Sequence, residues 1–477
     1  MKKILFLFII SLGVWGCSDL DELNIDTKNP SAVPGEPLFT NGTRNMFDMM
    51  ADVNVNRNVF KLYSQYWAQT TYPDESQYNM VTRKNPDNWW RALYRDVLKD
   101  LDESKKIIET FEPVYPGETE MKDNKLAIIS VMEVYTYSVL VDLFGDVPRT
   151  EALDPENVLP VYDQAEDVYD AIIVELNDAI QTLDADYAGF SSEEDPIYGG
   201  DVAGWVMFAN SLKMRLALRI ADVDASKAET MVLEAAPNLI SSNDEACAIT
   251  YFTSPPNTNP MWTDLVQSGR KDFVPANTVV DIMNDLEDPR RAFWFTEYEG
   301  GYVGGVYGTA NSYTSFSHLG DPFLQPDLKG TVLNYAEVEF MLAEAVERGF
   351  AVSGTAEEHY NAGIEASILE WGGTTEDYTT YIANADVAYS TASGDWRQKI
   401  GIQKWLSLFN QGFDGWCTWR QFDFTGLTPP PGMAMSDIPT RFIYPISEPE
   451  LNGSNYDIAA ARYNDDSPTA KIFWDVN

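Results

Sequence analysis

Apolar residues along this chain recur every three or four positions far more often than at every second position. Such spacing is typical of amphipathic α-helices, whereas strict alternation would indicate strands. Two stripes that each fit one helical face are Phe60, Tyr63, Tyr66 and Trp67, and Trp90, Leu93, Tyr94, Val97 and Leu101. Glycine or proline separates most of the longer periodic segments. The pattern predicts a mainly α protein with long helices at residues 125–143, 164–183, 202–221, 335–348, 356–371 and 396–411.

A weak internal repeat lies in the second helix of successive helix pairs. Each copy has a small residue, then a larger or aromatic one four positions later and a third residue three positions further on: Ala165, Tyr169 and Ile172; Ala228, Val232 and Ala235; Ala356, Tyr360 and Gly363. In tetratricopeptide repeats this spacing lets two helices approach closely. The intervals between copies are irregular and long. We therefore expect an all-α (mainly α) fold of tetratricopeptide-like helix pairs, forming a right-handed superhelical scaffold with long irregular loop insertions.

Two patterns inside the predicted helices indicate buried side chains. Trp405, Leu408, Phe409 and Gly412 follow the spacing of a buried stripe, in which the glycine allows close contact between helices. Arg215 and Arg219 lie one turn apart on an otherwise apolar helix, so we expect them to satisfy carboxylates or helix-end carbonyls.

The first residues predict export and membrane attachment. Residues 1–16 have a basic start and an apolar run too short to span a membrane, as in a signal peptide. Gly16 before Cys17 resembles a lipobox, in which Cys17 is lipidated and becomes the new N-terminus. We expect a flexible tether at residues 17–37 and one binding domain at 38–477. The acidic residues after Cys17 fit either a surface-export signal or a solvated tether.

Composition excludes several classes of function. A net charge of −41 repels phosphate backbones, so nucleic acid is not an expected partner. Only two histidines are present, which leaves little material for histidine-rich metal sites or for histidine-dependent catalytic triads. Cys247 and Cys417 could pair in an oxidising compartment or remain buried free thiols.

Residues 150–212 contain no Lys or Arg, while residues 151–201 supply fifteen acidic residues. This segment could be a solvated face or could hold a hard cation such as structural calcium, although no EF-hand motif is present. Residues 294–321 are rich in Tyr, Gly, Ser and Thr, which predicts a long irregular insertion of the kind that often carries binding function.

Several ordered motifs extend along the whole mature chain. They are LNID at 23–26, LFGDVP at 143–148, IYGGD at 197–201, FANSLKMRLALR at 208–219, DPR at 288–290, AEVEFMLAEA at 336–345, IQKW at 402–405 and RFIYP at 441–445. Together they resemble the SusD/RagB family of nutrient-binding outer-membrane lipoproteins, in particular its second SusD-like branch. The resemblance implies an α-helical fold on four tetratricopeptide-like helix pairs. It also implies a cell-surface lipoprotein of the outer membrane that captures oligosaccharides, or sometimes peptides, and acts as the lid of a SusC-like TonB-dependent transporter.

The family's ligand contacts vary among its members, so none is carried over from these motifs. A sugar site needs exposed aromatic rings for stacking and polar side chains for hydrogen bonds. Aromatic residues in irregular, polar surroundings are therefore the candidates, together with one neighbouring acid. The predicted ligand-binding residues are Tyr72, Asp74, Tyr78, Trp89, Trp262, Trp294, Tyr298, Tyr302 and Tyr307.

We therefore expect a non-catalytic protein without a cofactor that delivers an oligosaccharide to its transporter. Peptide uptake on the same architecture is the main alternative. A glycoside hydrolase would need two carboxylates placed across a sugar bond, and with 74 acidic residues such pairs are uninformative. A pure protein-interaction scaffold is a third possibility, because helical repeats commonly bind peptides.

Overall fold

Helices account for most of the regular structure in the computed structural model, which describes residues 33–477. The α-helices, in chain order, are α1 Gly35–Ala51, α2 Phe60–Tyr63, α3 Asn85–Arg91, α4 Lys99–Glu109, α5 Glu118–Phe144, α6 Ala165–Thr182, α7 Val202–Arg219, α8 Ala225–Ala235, α9 Pro260–Trp262, α10 Asn277–Asp285, α11 Arg291–Trp294, α12 Tyr335–Glu347, α13 Ala356–Glu370, α14 Thr375–Ile382, α15 Trp396–Ser407, α16 Gly412–Phe422, α17 Glu448–Leu451 and α18 Gly453–Arg462. The π-helical segments are Ala92–Leu98, between α3 and α4, and Thr263–Gln267, after α9. The predicted signal peptide and Cys17 lie outside the described residues, as does most of the predicted tether.

The strands in residues 33–477 are short and form two small antiparallel sheets. The strands are β1 Trp67–Gln69, β2 Cys247–Ile249, β3 Phe273–Pro275 and β4 Gly330–Leu333. β1 pairs with β3, and β2 pairs with β4 across a bulge. The predicted mainly α fold is confirmed.

Helices that follow one another in the chain pack in pairs, among them α5 with α6, α7 with α8, α12 with α13, and α15 with α16, and α1 packs on α4. The repeat residues of α6, α8 and α13 are all buried. A Cβ on Gly363 would lie 2.9 Å from the Phe340 ring, so this small residue lets α13 approach α12. The periodic pattern thus located the packed faces correctly, because close helix packing requires small residues at the contact.

One helical prediction is wrong. The stripe from Phe60 to Trp67 suggested a continuous helix, but α2 ends at Tyr63 and Trp67 begins β1. Gln65 has a φ of 58°, a left-handed conformation that cannot continue a right-handed helix. Tyr66 and Trp67 are nevertheless fully buried, so the apolar spacing reported burial correctly and misjudged the backbone.

The largest hydrophobic core runs from Phe39 to Trp474 and contains most of α5. α5 is long and apolar enough to cross a membrane, yet 89% of its most apolar stretch is buried inside the protein, which identifies it as a core helix. Cys247 and Cys417 are both buried free thiols. The structure therefore favours buried free thiols over a disulfide between these two cysteines.

Carboxylates of the acidic segment satisfy nearby donors. Asp163 accepts hydrogen bonds from the backbone of Arg149 and Thr150 at 2.7 and 2.8 Å. Asp195 accepts one from the indole of Trp205 at 2.8 Å. Within residues 33–477, no group of three or more His, Cys, Asp or Glu side chains is arranged to hold a metal ion.

Candidate functional site

Three loops meet at one face of the molecule, which we call the loop surface: residues 70–78, 263–272 and 306–318. The β1–β3 pairing continues into it, since the Thr70 amide donates to the Asp272 carbonyl at 2.8 Å. The Asn311 side chain donates to the Gln69 carbonyl at 3.0 Å. The Gln77 side chain donates to the Gly308 carbonyl at 2.9 Å. These bonds hold the three loops together, although they are far apart in sequence.

The loop surface brings together four of the residues predicted from sequence: Tyr72, Asp74, Tyr78 and Tyr307. Tyr72 is 68% exposed and has a φ of 53°, so its ring is presented to solvent at a turn. Asp74 is half-buried beside it. The Tyr78 ring lies 6.5 Å from that of Tyr307, and burial raises the pKa of Tyr78 to about 12, which keeps this hydroxyl protonated at neutral pH.

A stacked pair that sequence reasoning missed lies on the same face. The Tyr313 and His318 rings are 4.0 Å apart and nearly parallel, and the Lys271 ammonium lies 5.1 Å from the Tyr313 ring. The His318 ring nitrogen Nε2 is 2.8 Å from the Tyr313 carbonyl oxygen, which fixes the orientation of the imidazole. Tyr313 lies within the irregular segment predicted as a binding insertion, and that segment was the only signal that could have found it.

Tyr313 lines a cavity of about 310 Å³ together with Arg270, Lys271, Asp272 and Phe273. The Arg270 Nε atom donates to the Asp272 carboxylate at 2.5 Å. The rim therefore offers charged donors and an acceptor, while rings and aliphatic groups form the walls. This combination is typical of sites that bind small polar molecules with some apolar surface.

A smaller cavity, of about 60 Å³, adjoins the same segment. It is lined by residues that include Asn56, Arg83, Asp264, Arg270 and Asp272, and it shares the last two with the larger cavity. Burial raises the pKa of Asp264. The two cavities extend the polar surface from β3 towards the segment after α1.

Three further predicted residues are half-exposed and line neither cavity. Trp262 is half-exposed in α9, directly before the π-helical segment that contributes Leu265 and Val266 to the larger cavity. Tyr298 is half-exposed in a tight turn that its amide closes on the Gly301 carbonyl at 2.8 Å. Tyr302 is also half-exposed, but the Arg291 guanidinium lies 5.6 Å from its ring and holds it towards α11.

The aromatic predictions assumed exposed rings, and that assumption is wrong for Trp89 and Trp294, and also for Tyr307 of the loop surface. Trp89 is 0% exposed and lies 5.2 Å, edge to face, from Phe60. Trp294 is 0% exposed and stacks on Phe409 at 4.7 Å. Tyr307 is 3% exposed. Their positions at helix ends or in a loop suggested exposure, but large rings gain most free energy when they are buried. In this structure none of the three can stack on a ligand.

Comparison with known proteins places the fold. The SusD-like_2 family, described as starch-binding and associating with the outer membrane, matches residues 27–445. A solved chitin-binding protein is 25% identical over 93% of this chain and 99% of its own, with a TM-score of 0.79. A chitin-binding SusD homologue from Flavobacterium johnsoniae is 24% identical over 91% and 98% of the two chains, with a TM-score of 0.78.

A SusD homologue from Bacteroides uniformis is 23% identical over 92% of this chain and 99% of its own, with a TM-score of 0.76. A search among curated proteins finds no match. The predicted resemblance is confirmed, because the family match spans most of the chain. The chain belongs to the SusD-like_2 family and is a SusD-like, non-catalytic glycan-binding protein that associates with the outer membrane.

Proposed function

We propose that the loop surface captures a neutral oligosaccharide. The observation that carries this proposal is the placement of two exposed or half-exposed aromatic platforms, Tyr72 and the Tyr313–His318 pair, on a face with a polar-rimmed cavity of about 310 Å³. Sugar rings present C–H faces that stack on aromatic side chains, and their hydroxyls exchange hydrogen bonds with charged and amide groups. Arg270 and Asp272 supply such groups at the rim.

Chitin and starch oligosaccharides are the cargo we propose to test first. Both are uncharged, and they are the glycans named for the structural relatives and for the family. An uncharged ligand also suits a protein with a net charge of −41, since an anionic glycan would be repelled by the overall field.

We also propose that the protein is lipidated at Cys17, resides at the cell surface and delivers its cargo to a SusC-like TonB-dependent transporter, for which it acts as the lid. The lipobox-like sequence and the family's association with the outer membrane support this proposal. A lipidated cysteine with a tether would hold the binding domain near the transporter while allowing a hinge motion.

Isothermal titration calorimetry of the chain that begins after Cys17 tests the binding site. The Tyr72→Ala, Tyr313→Ala double variant should lose at least tenfold in affinity for the hexasaccharide of chitin or of starch, because two stacking platforms are removed. Tyr115→Ala is a matched control, since Tyr115 is a similarly exposed tyrosine (71%) in the turn before α5, outside the loop surface. Equal affinities of the double variant and the wild type would reject the loop surface, and heat from a peptide digest instead of sugars would indicate peptide cargo.

Cell fractionation and co-purification test the anchoring and the partner. The full chain should fractionate with the outer membrane and co-purify with a TonB-dependent transporter of its own cell. Cys17→Ala should release the protein from the membrane without changing its affinity for glycan. Retention of this variant in the membrane would contradict lipidation at Cys17.

A further inference from the structure

A second cavity, of about 370 Å³, lies outside the loop surface and shares no lining residue with it. We call it the amide pocket. Four segments that are distant in sequence form most of it: the turn before β2, the residues around β4, the end of α13 and the connection between α15 and α16. Its defining residues are Asn243, Asn334, Glu370, Trp371, Asn410 and Gln411.

Three buried amide atoms in this pocket have no hydrogen-bond partner among residues 33–477. They are the Oδ1 atoms of Asn243 and Asn410 and the Nε2 atom of Gln411. Gln411 as a whole is only 7% exposed. A buried polar atom without a partner is unfavourable and is uncommon in native proteins. The residues that carry these two acceptors and one donor all line one cavity, which points to a ligand that supplies the complementary donors and acceptor.

Two of these amides, those of Asn243 and Gln411, are anchored at their other ends, so their unpartnered ends are held in place. The Asn243 Nδ2 atom donates to the Ala366 carbonyl at 2.9 Å. Gln411 accepts, through Oε1, a hydrogen bond from Asn334 at 3.2 Å. The Asn334 Oδ1 atom in turn caps α12 by accepting from the Glu337 amide at 3.0 Å. Such preorganisation reduces the entropy lost on binding.

Trp371 supplies an aromatic wall to the amide pocket. Its half-exposed ring packs 4.6 Å from Phe323 and 5.8 Å from Trp294, so its orientation is fixed by the core. Asp244 offsets Lys329 among the charged lining residues, and burial raises the pKa of Glu370 to about 7, so the lining carries no net positive charge that would favour an anionic ligand. A fixed indole beside free amides and carboxylate acceptors matches the C–H faces and hydroxyls of a neutral sugar.

We propose that the amide pocket binds the end of a neutral saccharide, as a second site independent of the loop surface. The class of ligand rests on the proposed function, whereas the residues that bind it are different. Its volume is within the range of small-ligand pockets, which suits a mono- or disaccharide more than a long chain. The amide pocket would thus hold the end of one glycan. The loop surface would hold a second glycan or a longer one along its length.

Calorimetry with short sugars separates the two sites. The probes are N,N′-diacetylchitobiose and maltose, titrated into the chain that begins after Cys17. Gln411→Met removes the free donor at nearly constant volume and should weaken binding of the disaccharide about tenfold or more. Trp371→Leu should do the same. The Tyr72→Ala, Tyr313→Ala variant is the matched control and should bind the disaccharide like the wild type while losing affinity for the hexasaccharide.

Asn410→Leu covers the case in which Gln411→Met does not fold, since the Asn410 side chain makes no hydrogen bond to residues 33–477 through its oxygen. Thermal unfolding verifies that each variant is folded. Unchanged disaccharide affinity in the pocket variants would overturn the amide pocket. If the wild type binds the hexasaccharide but no disaccharide, the amide pocket is also overturned and the loop-surface proposal stands. If the wild type binds neither sugar, both proposals are overturned.

Discussion

The guanidinium of Arg215 donates hydrogen bonds to both carboxylate oxygens of Glu337, from Nε at 3.1 Å and from Nη2 at 2.6 Å. Arg215 lies on α7 and Glu337 on α12, so this buried bidentate pair joins two of the helix pairs. Asp414 of α16 lies 3.4 Å from the same guanidinium, and Lys404 of α15 lies 3.6 Å from Glu337. Burial alone would raise the pKa of Glu337, but Arg215 and Lys404 outweigh it and lower that pKa.

Removal of the Glu337 carboxylate should therefore destabilise the whole fold. Glu337→Leu leaves Arg215 buried with less compensation, and we expect the free energy of unfolding to fall by about 3–5 kcal/mol. Urea unfolding followed by circular dichroism measures this change. Glu103→Leu is the control, because Glu103 pairs with Lys99 within α4 and the two side chains are 49% and 42% exposed, and a loss of less than about 1 kcal/mol is expected. Equal losses in the two variants would contradict the role of the buried pair.

Gly412 should not tolerate a side chain. A Cβ at this position would lie 2.5 Å from the backbone nitrogen of Lys61 and 2.7 Å from the carbonyl carbon of Phe60, so α16 and α2 would have to separate. We expect Gly412→Ala to lower the free energy of unfolding by about 3 kcal/mol or more, as in severe overpacking. Gly453→Ala is the control, since a Cβ there meets nothing within 4 Å. A stable Gly412→Ala protein would show that the helices can move apart.

Asp222 should make stability depend on pH in acid. It accepts hydrogen bonds from Arg348 at 2.8 and 3.0 Å and from Arg397 at 2.7 Å. Burial opposes these bonds, but they outweigh it and lower the pKa of Asp222 below its ordinary 3.8. The stabilisation is thus present above about pH 4 and is lost as the pH falls through the lower folded value.

The Asp222→Asn variant should accordingly be less stable than the wild type by about 1.5–3 kcal/mol at pH 7, and this difference should shrink below pH 4. Unfolding curves at a series of pH values measure it. Asp170→Asn, which removes a carboxylate that is 71% exposed in its pair with Lys227, should change little at any pH. A difference for Asp222→Asn that does not vary with pH would rule out the ionic contribution.

Lys61 should also make stability rise with pH, but in the basic range. Its side chain is 5% exposed, and burial lowers its pKa from 10.5 to about 7. Because folding disfavours the ammonium form, the wild type should gain stability as the pH rises from about 7 to 10.5. Relative to Lys61→Met, the gain should approach 1.4 kcal/mol per pH unit, about the maximum for one proton. Lys84→Met, at an exposed lysine, is the control, and parallel curves for wild type and Lys61→Met would contradict the lowered pKa.

The buried stripes were the part of the fold most readable from sequence. Trp405, Leu408 and Phe409 are fully or almost fully buried, and Gly412 packs against α2 as the spacing predicted. Arg215 and Arg219 also have the expected carboxylate partners, although Asp142 lies 3.6 Å from Arg219 and is distant in sequence. Helical periodicity is a local property, so it can be read from neighbouring residues alone.

The candidate binding residues were much harder to predict from the sequence. Tyr72 and Tyr78 were correctly placed in an irregular segment, but the same criterion selected Trp89 and Trp294, whose rings are in the core. Tyr313 and Gln411 were missed, because neither has a local sequence pattern that separates a ligand contact from a packed side chain. What marks Gln411 as a candidate is a feature of the tertiary structure: its Nε2 atom is buried without a hydrogen-bond partner, and the residue lines a cavity.

The sequence by itself determined the helix pairs, the buried faces and the family, because spacing along a helix and ordered motifs are contained in consecutive residues. The tertiary structure alone decided where binding can occur. It joined residues 70–78 to residues 306–318 through bonds such as that from Gln77 to Gly308, and it placed Asn243 and Gln411 in the lining of one cavity. The physical reason is that exposure and hydrogen-bond satisfaction depend on which distant segments pack together.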